Sequence, residues 1–262
     1  MIALILKELR CYAHQPTYRR IQLIILCLLA LTLFAAAFEL FAASRSHPQV
    51  HVGRGIYSIV VPTFFIALLC LAVPFLSIEA FQAELRNSNW DLLKMTPISS
   101  WEILFGKLMG AIIATLWCVW LAVPLFCLSA YTGGFTLYQL LQCGLVFIAG
   151  FTLFFLIGSY LTLQGSPVTA ISRSYAVVLL ITFVPLLISY TSAPLLAPPV
   201  LLLDLLRMLS PLCVLISIIR SETGVSMGIA PIWLWMMGCY TILSALLFWI
   251  SSRRISKLEM YK

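Results

Sequence analysis

Residues 79–110 read EAFQAELRNSNWDLLKMTPISSWEILFGKLMG. This is the longest polar interruption in an otherwise apolar chain, and it holds seven charged residues: Glu79, Glu84, Arg86, Asp91, Lys94, Glu102 and Lys107. The apolar runs beside it, 56–78 and 108–130, are each long enough to cross a bilayer. A charged segment between two spans belongs in water or at the membrane face, because lipid would charge several kcal/mol for each ion.

Within the segment, Trp90, Leu92 and Leu93 fall near one face of a short helix, while Asp91 and Lys94 point elsewhere. Thr96-Pro97 ends that helix, since proline disfavours helical geometry in the residue before it. Ser99 and Ser100 then offer N-cap oxygens, and Glu102 falls in the first turn of a second helix, where a carboxylate is favourable. That helix runs through Gly106-Lys107 into the next span. The expected shape is helix, corner, helix at the membrane surface, with Trp90, Leu92 and Leu93 needing a partner or the membrane to cover them.

Composition agrees. Of 262 residues, 62% are hydrophobic and only 10% charged, against about a quarter charged in a soluble domain. The chain therefore reads as one all-α integral membrane domain, residues 1–262, with too little polar sequence for a separate soluble domain. The net charge of +7 does not indicate nucleic acid, because the basic residues cluster next to spans, where they set orientation and meet anionic lipid headgroups. The eight cysteines are scattered through apolar runs with no C-x-x-C pair, so they read as small hydrophobes rather than metal ligands.

Taken in order, residues 1–16 form an amphipathic interfacial helix. Ile2, Ile5, Leu6, Leu9 and Tyr12 share one face and Lys7, Arg10 and His14 another, and Pro16 ends it. The expected spans are 21–43, 56–78, 108–130, 140–163, 175–190 and 229–250. A signal peptide competes for the first, but its apolar run is longer than the roughly 7–15 residues of such a segment. Glu39, near the end of that span, either reaches the interface or faces a partner or a translocation path. His47 and His51 in the following loop lack carboxylate or cysteine support for a metal and read as solvated. Pro62 and Pro74 predict kinks in the second span. The third opens with Gly106, Gly110 and Ala114, a stripe of small residues that permits close helix packing. Gln164 to Ser174 reads as a polar inner loop. Residues 191–226 carry several prolines together with Asp204, Arg207, Arg220 and Glu222. They read as short, partly re-entrant outer helices, with Asp204 and Arg207 spaced to pair. Trp233, Trp235 and Trp249 sit near the ends of the sixth span as interfacial anchors.

Six spans put both termini on one side. With the termini inside, only Arg45, Arg54, Arg207 and Arg220 of the Lys and Arg residues lie outside. The positive-inside rule therefore places the termini and residues 79–107 in the cytoplasm.

The central segment resembles that of ABC-2 type transporter permeases. The family pattern runs from an acidic residue through Gly-Thr-Leu-Glu-Leu-Leu to Thr-Pro, and then to Gly-Lys before the next span. Glu84, Asp91, Leu92, Leu93, Thr96, Pro97, Gly106 and Lys107 match it. Ser88-Asn89 stand where the family has Gly-Thr, and Leu85-Arg86 replace its charged pair. The stretch DLLRMLSPL, 204–212, looks like the family's Ser-Pro segment before the last span, and the N-terminal helix resembles its elbow helix.

The resemblance implies a permease subunit of an ATP-binding cassette exporter in the inner (plasma) membrane. Residues 79–107 would be the coupling segment, docking on a separate cytoplasmic ATPase subunit. Trp90 to Lys94 would touch the ATPase, Thr96-Pro97 would fix the corner, and Glu84 would brace the entrance. ATP and magnesium would sit on that partner, with no cofactor on this chain, and a second permease, identical or different, would complete the complex. Asp204, Arg207 and Glu39 are candidates for the path or an outer gate.

The chain has no Walker A loop, H-E-x-x-H or G-x-S-x-G. Its spans hold almost no ionisable groups away from their ends, so it lacks an evident energy source of its own. An intramembrane enzyme built around Asp204, Arg207, His47 and His51 is the alternative reading, and an assembly scaffold without a transport cycle is another.

Overall fold

A computed structural model describes residues 2–46, 52–86, 99–131, 136–164, 167–195, 200–220, 226–227 and 230–260. These residues are almost entirely helical. Six helices are long and apolar enough to cross a membrane, and the chain is a multi-pass helical membrane protein.

Helix α1 (Ile2–His14) and α2 (Pro16–Ser46) are separated by Gln15 alone. Pro16 does more than end α1. It also opens α2, where its missing N–H is an orphan in any case.

The second crossing is a composite rod of α3 (Val52–Ile66), a π-helical turn (Ala67–Ala72) and α4 (Val73–Arg86). The sequence marks Pro74 as a site of irregularity but does not specify a π turn. Its local cause is Pro74, which has no N–H to donate four residues back. The Val73 N–H reaches instead to the Leu68 carbonyl, and the Tyr175 hydroxyl donates to the Leu71 carbonyl at 3.0 Å.

Helix α5 (Ser100–Tyr131) opens on a reciprocal cap. The Ser99 N–H and hydroxyl each donate to Glu102 Oε2 at 3.0 Å, and Ser99 Oγ accepts from the Glu102 N–H. Helix α6 (Leu137–Thr162) has the same device in Thr136 and Gln139.

Helix α7 (Pro167–Leu195) starts earlier and ends later than the expected span. Pro167 serves as a helix opener, so most of the expected inner loop is helical. Two ten-residue helices follow, α8 (Val200–Leu209) and α9 (Pro211–Arg220). Each is about 15 Å long, half the hydrocarbon thickness. A two-residue ladder pairs Ser226–Met227 with Ala230–Pro231, and α10 (Ile232–Met260) ends the described chain.

The core lies where α6 packs against the rod. Phe65 meets Phe147 edge-on at 5.1 Å, and Phe151, Phe154 and Phe155 are buried. Gly158 of α6 lets α4 come close: a Cβ there would stand 2.8 Å from the Ser77 Cβ and closer still to its hydroxyl. The α8–α9 corner is pinned by two hydrogen bonds. Ser210 Oγ donates to the Thr182 carbonyl at 2.7 Å, and Tyr240 Oη to the Leu209 carbonyl at 2.6 Å. Helices α2, α7 and α10 are the least buried spans and carry the apolar outer surface.

Candidate functional site: a buried ion pair at the root of the polar segment

Two helices lead into and out of the polar segment: α4, which ends at Arg86, and α5, which begins at Ser100. The side chain joining them is Lys107, two turns into α5. It is 0% exposed and is the only lysine or arginine buried among the described residues. Its ammonium donates to Glu8 Oε1 of α1 at 3.0 Å and to the Ala80 carbonyl of α4. The Phe81 ring faces it, with the nitrogen 5.1 Å from the ring centre. One side chain thus ties three elements: the incoming flank, the outgoing flank and the N-terminal helix.

The surroundings are shaped to admit this pair. Gly106 and Gly110 are buried, and a Cβ on Gly110 would stand 2.9 Å from the Glu8 Cβ. The missing side chain lets α1 lie against α5. Tyr12, one turn beyond Glu8, is also buried, and its hydroxyl reaches the Leu76 carbonyl of α4 at 3.5 Å. Burial, with the Glu8 and Glu79 carboxylates nearby, pushes the Tyr12 phenol well above its ordinary value, so it remains a donor at any physiological pH. Tyr18 of α2 donates to the Ala114 carbonyl at 2.7 Å. Gly106, Gly110 and Ala114 are all buried, with Gly110 and Ala114 meeting the N-terminal helices directly.

Burying an ammonium and a carboxylate is expensive, and their attraction repays it only with good geometry and extra hydrogen bonds. Both conditions hold here, because the ammonium has the carboxylate, a carbonyl and an aromatic face. The cluster ties α1, α4 and α5 together through one side chain.

Sequence reasoning assigned Glu8 no role and expected an interfacial helix with a purely apolar inner face. Tyr12 is buried on that face as expected, but so is Glu8, while Leu6 is 52% exposed. A signal was available, since Glu8 lies three residues after Ile5 and four before Tyr12, on the apolar face.

Of the residues singled out in the sequence, Trp90, Asp91, Leu92, Leu93, Lys94, Thr96 and Pro97 lie outside the described residues, as do His47 and His51. Glu84 lies in the last turns of α4, Glu39 in α2 and Asp204 in α8, with side chains outside the described set. Arg207 lies one turn after Asp204 on α8 and is half-buried. Among the described residues no group of His, Cys, Asp and Glu is arranged to hold a metal.

In comparisons with known proteins, no family model matches this chain and no curated protein matches it.

Proposed function

We propose that the chain is the membrane-spanning permease subunit of an ATP-driven, ABC-2 type exporter, taking energy from a separate cytoplasmic ATPase. The observation that carries this reading is the Lys107 root. Force applied to a segment between two helices is useful only if both flanks are fixed to the body that must move. Here α4, α5 and α1 are held by one buried ammonium, so a push on residues 87–98 reaches three elements at once. The match of Glu84, Asp91, Leu92, Leu93, Thr96, Pro97, Gly106 and Lys107 to the ABC-2 pattern supports the same reading.

In this mechanism ATP binding closes two ATPase subunits, and the surface carrying Trp90, Leu92 and Leu93 follows them. The α4–α5 root then tilts with α1, and the spans exchange access between the two sides of the membrane. The chain supplies no ATP site and no cofactor site. A second permease completes the path, in the inner membrane with both termini cytoplasmic.

The test uses single cysteines at Leu92→Cys and Leu93→Cys in a cysteine-depleted background, crosslinked to the candidate ATPase with and without ATP. Crosslinks that change with nucleotide are expected. Cysteines freely labelled from the cytoplasm in the intact complex, with no crosslink in either state, would remove the coupling role.

A further inference from the structure

Near its end α10 carries two consecutive arginines, and each lies over an aromatic ring. The guanidinium carbon of Arg253 is 3.8 Å from the centre of the Trp249 ring, which stands one turn earlier on the same helix face. That of Arg254 is 5.0 Å from the centre of the Tyr160 ring of α6. Among the described residues no carboxylate pairs with either arginine. Arg254 Nη1 is buried and has no acceptor.

The contacts fix where this pair stands. Tyr160 belongs to the last turn of α6, which ends at Thr162. Trp101, in the first turn of α5, meets Phe248 of α10 edge-on at 5.1 Å. The start of α5, the end of α6 and the two arginines therefore gather at one membrane face. Arg253 lies within the last turn of the apolar stretch that ends at Ser256. Trp101 and Trp249 are exposed beside it, and indole rings settle at the level of the lipid headgroups.

A guanidinium laid on a ring keeps its N–H edge free, and that planar fork matches two phosphate oxygens. The ring also holds the side chain in place, so less conformational freedom is lost when an anion binds. We propose that Arg253 and Arg254 hold the headgroup phosphate of one anionic phospholipid from the leaflet at this face. Arg253, the exposed member, donates to the phosphate, and Arg254 supplies the second positive charge. That second charge sets the preference. A zwitterionic headgroup brings its own cation, which Arg254 repels, whereas a net-negative headgroup does not. The inference rests on the multi-pass architecture and is independent of the ATP-driven reading.

The full chain in detergent micelles is titrated with phosphatidylglycerol or with phosphatidylcholine of the same acyl chains, and bound lipid is counted by native mass spectrometry. The first phosphatidylglycerol is expected to bind about five-fold more tightly than the first phosphatidylcholine, the ratio that roughly 1 kcal/mol for an arginine near the headgroups produces. Arg253→Gln should bring the two lipids close to equal. Trp249→Leu keeps both charges but removes the ring under Arg253, and should lower the preference by about two-fold. Arg20→Gln removes one exposed charge from α2 and should leave the five-fold preference intact. Equal binding of the two lipids by the unmodified chain overturns the proposal. An equal loss in Arg20→Gln and Arg253→Gln also overturns it, because the attraction would then be diffuse charge. So does loss of the preference in excess inorganic phosphate, which would mean a site for a free anion rather than for a lipid.

Discussion

At Lys107 the cost of burial and the gain from pairing nearly cancel, so each partner matters most when the other remains. Lys107→Met leaves the Glu8 carboxylate enclosed with no counter-charge and should cost about 3–5 kcal/mol. Replacing both, Glu8→Leu with Lys107→Met, should recover most of that loss, because an apolar pair of similar volume does not need desolvating. Thermal unfolding of the purified variants in detergent gives the coupling between the two sites. A double variant no more stable than the single one would mean that the Ala80 carbonyl and Phe81, rather than Glu8, hold the ammonium. Gly158 offers a second, purely steric case. Gly158→Ala drives a methyl into Ser77, and overpacking of this kind costs about 1–3 kcal/mol. Ser77→Ala should relieve only part of the strain, because the Ser77 Cβ is itself 2.8 Å away, whereas Ser77→Gly should relieve most of it. Equal stability of all four proteins would show that α4 and α6 shift apart at little cost.

The helical elements were legible to different degrees, for physical reasons. Six long apolar runs announce six crossings because the bilayer fixes their length. The Ser99–Glu102 cap was legible because capping depends on residues three apart in sequence. The position of Glu8 on the apolar face was legible, but its partner was not, because Lys107 lies ninety-nine positions away. Helix ends near Pro167 were misplaced because proline both stops and starts helices, and only tertiary packing decides which. The π turn at Ala67–Ala72 lies further out of reach, since it depends on Pro74 together with a hydroxyl from another helix. That hydroxyl carries a prediction. Tyr175→Phe removes the donor to the Leu71 carbonyl and should cost about 1 kcal/mol, read as a lower unfolding midpoint. It should also speed hydrogen exchange in peptides covering 67–76, since a carbonyl released in the π turn loosens its neighbours. Unchanged exchange there would assign the π turn to Pro74 alone.

For the whole molecule, the six crossings and the charge asymmetry make one joint claim about sidedness that can be separated into parts. Ser99, Thr136 and Gln164 are exposed and lie at or just beyond the ends of α5 and α6. One crossing separates Ser99 from Thr136, and another separates Thr136 from Gln164. Parity therefore requires Ser99 and Gln164 on one side and Thr136 on the other, whatever the absolute orientation. The positive-inside rule adds the orientation, with Arg86, Lys94, Lys107 and Arg173 drawing the first pair to the cytoplasm. Single cysteines Ser99→Cys, Thr136→Cys and Gln164→Cys, in a background lacking the eight native cysteines, are labelled in intact cells with a membrane-impermeant maleimide and again after permeabilisation. The expected result is labelling of the Thr136 site in intact cells and of the other two only after permeabilisation. The reversed pattern would keep the six-crossing fold and place residues 87–98 out of reach of any cytoplasmic ATPase, which would end the coupling proposal. Labelling of all three from one side would show that α5 and α6 do not both cross, and the six-crossing count would fall with them.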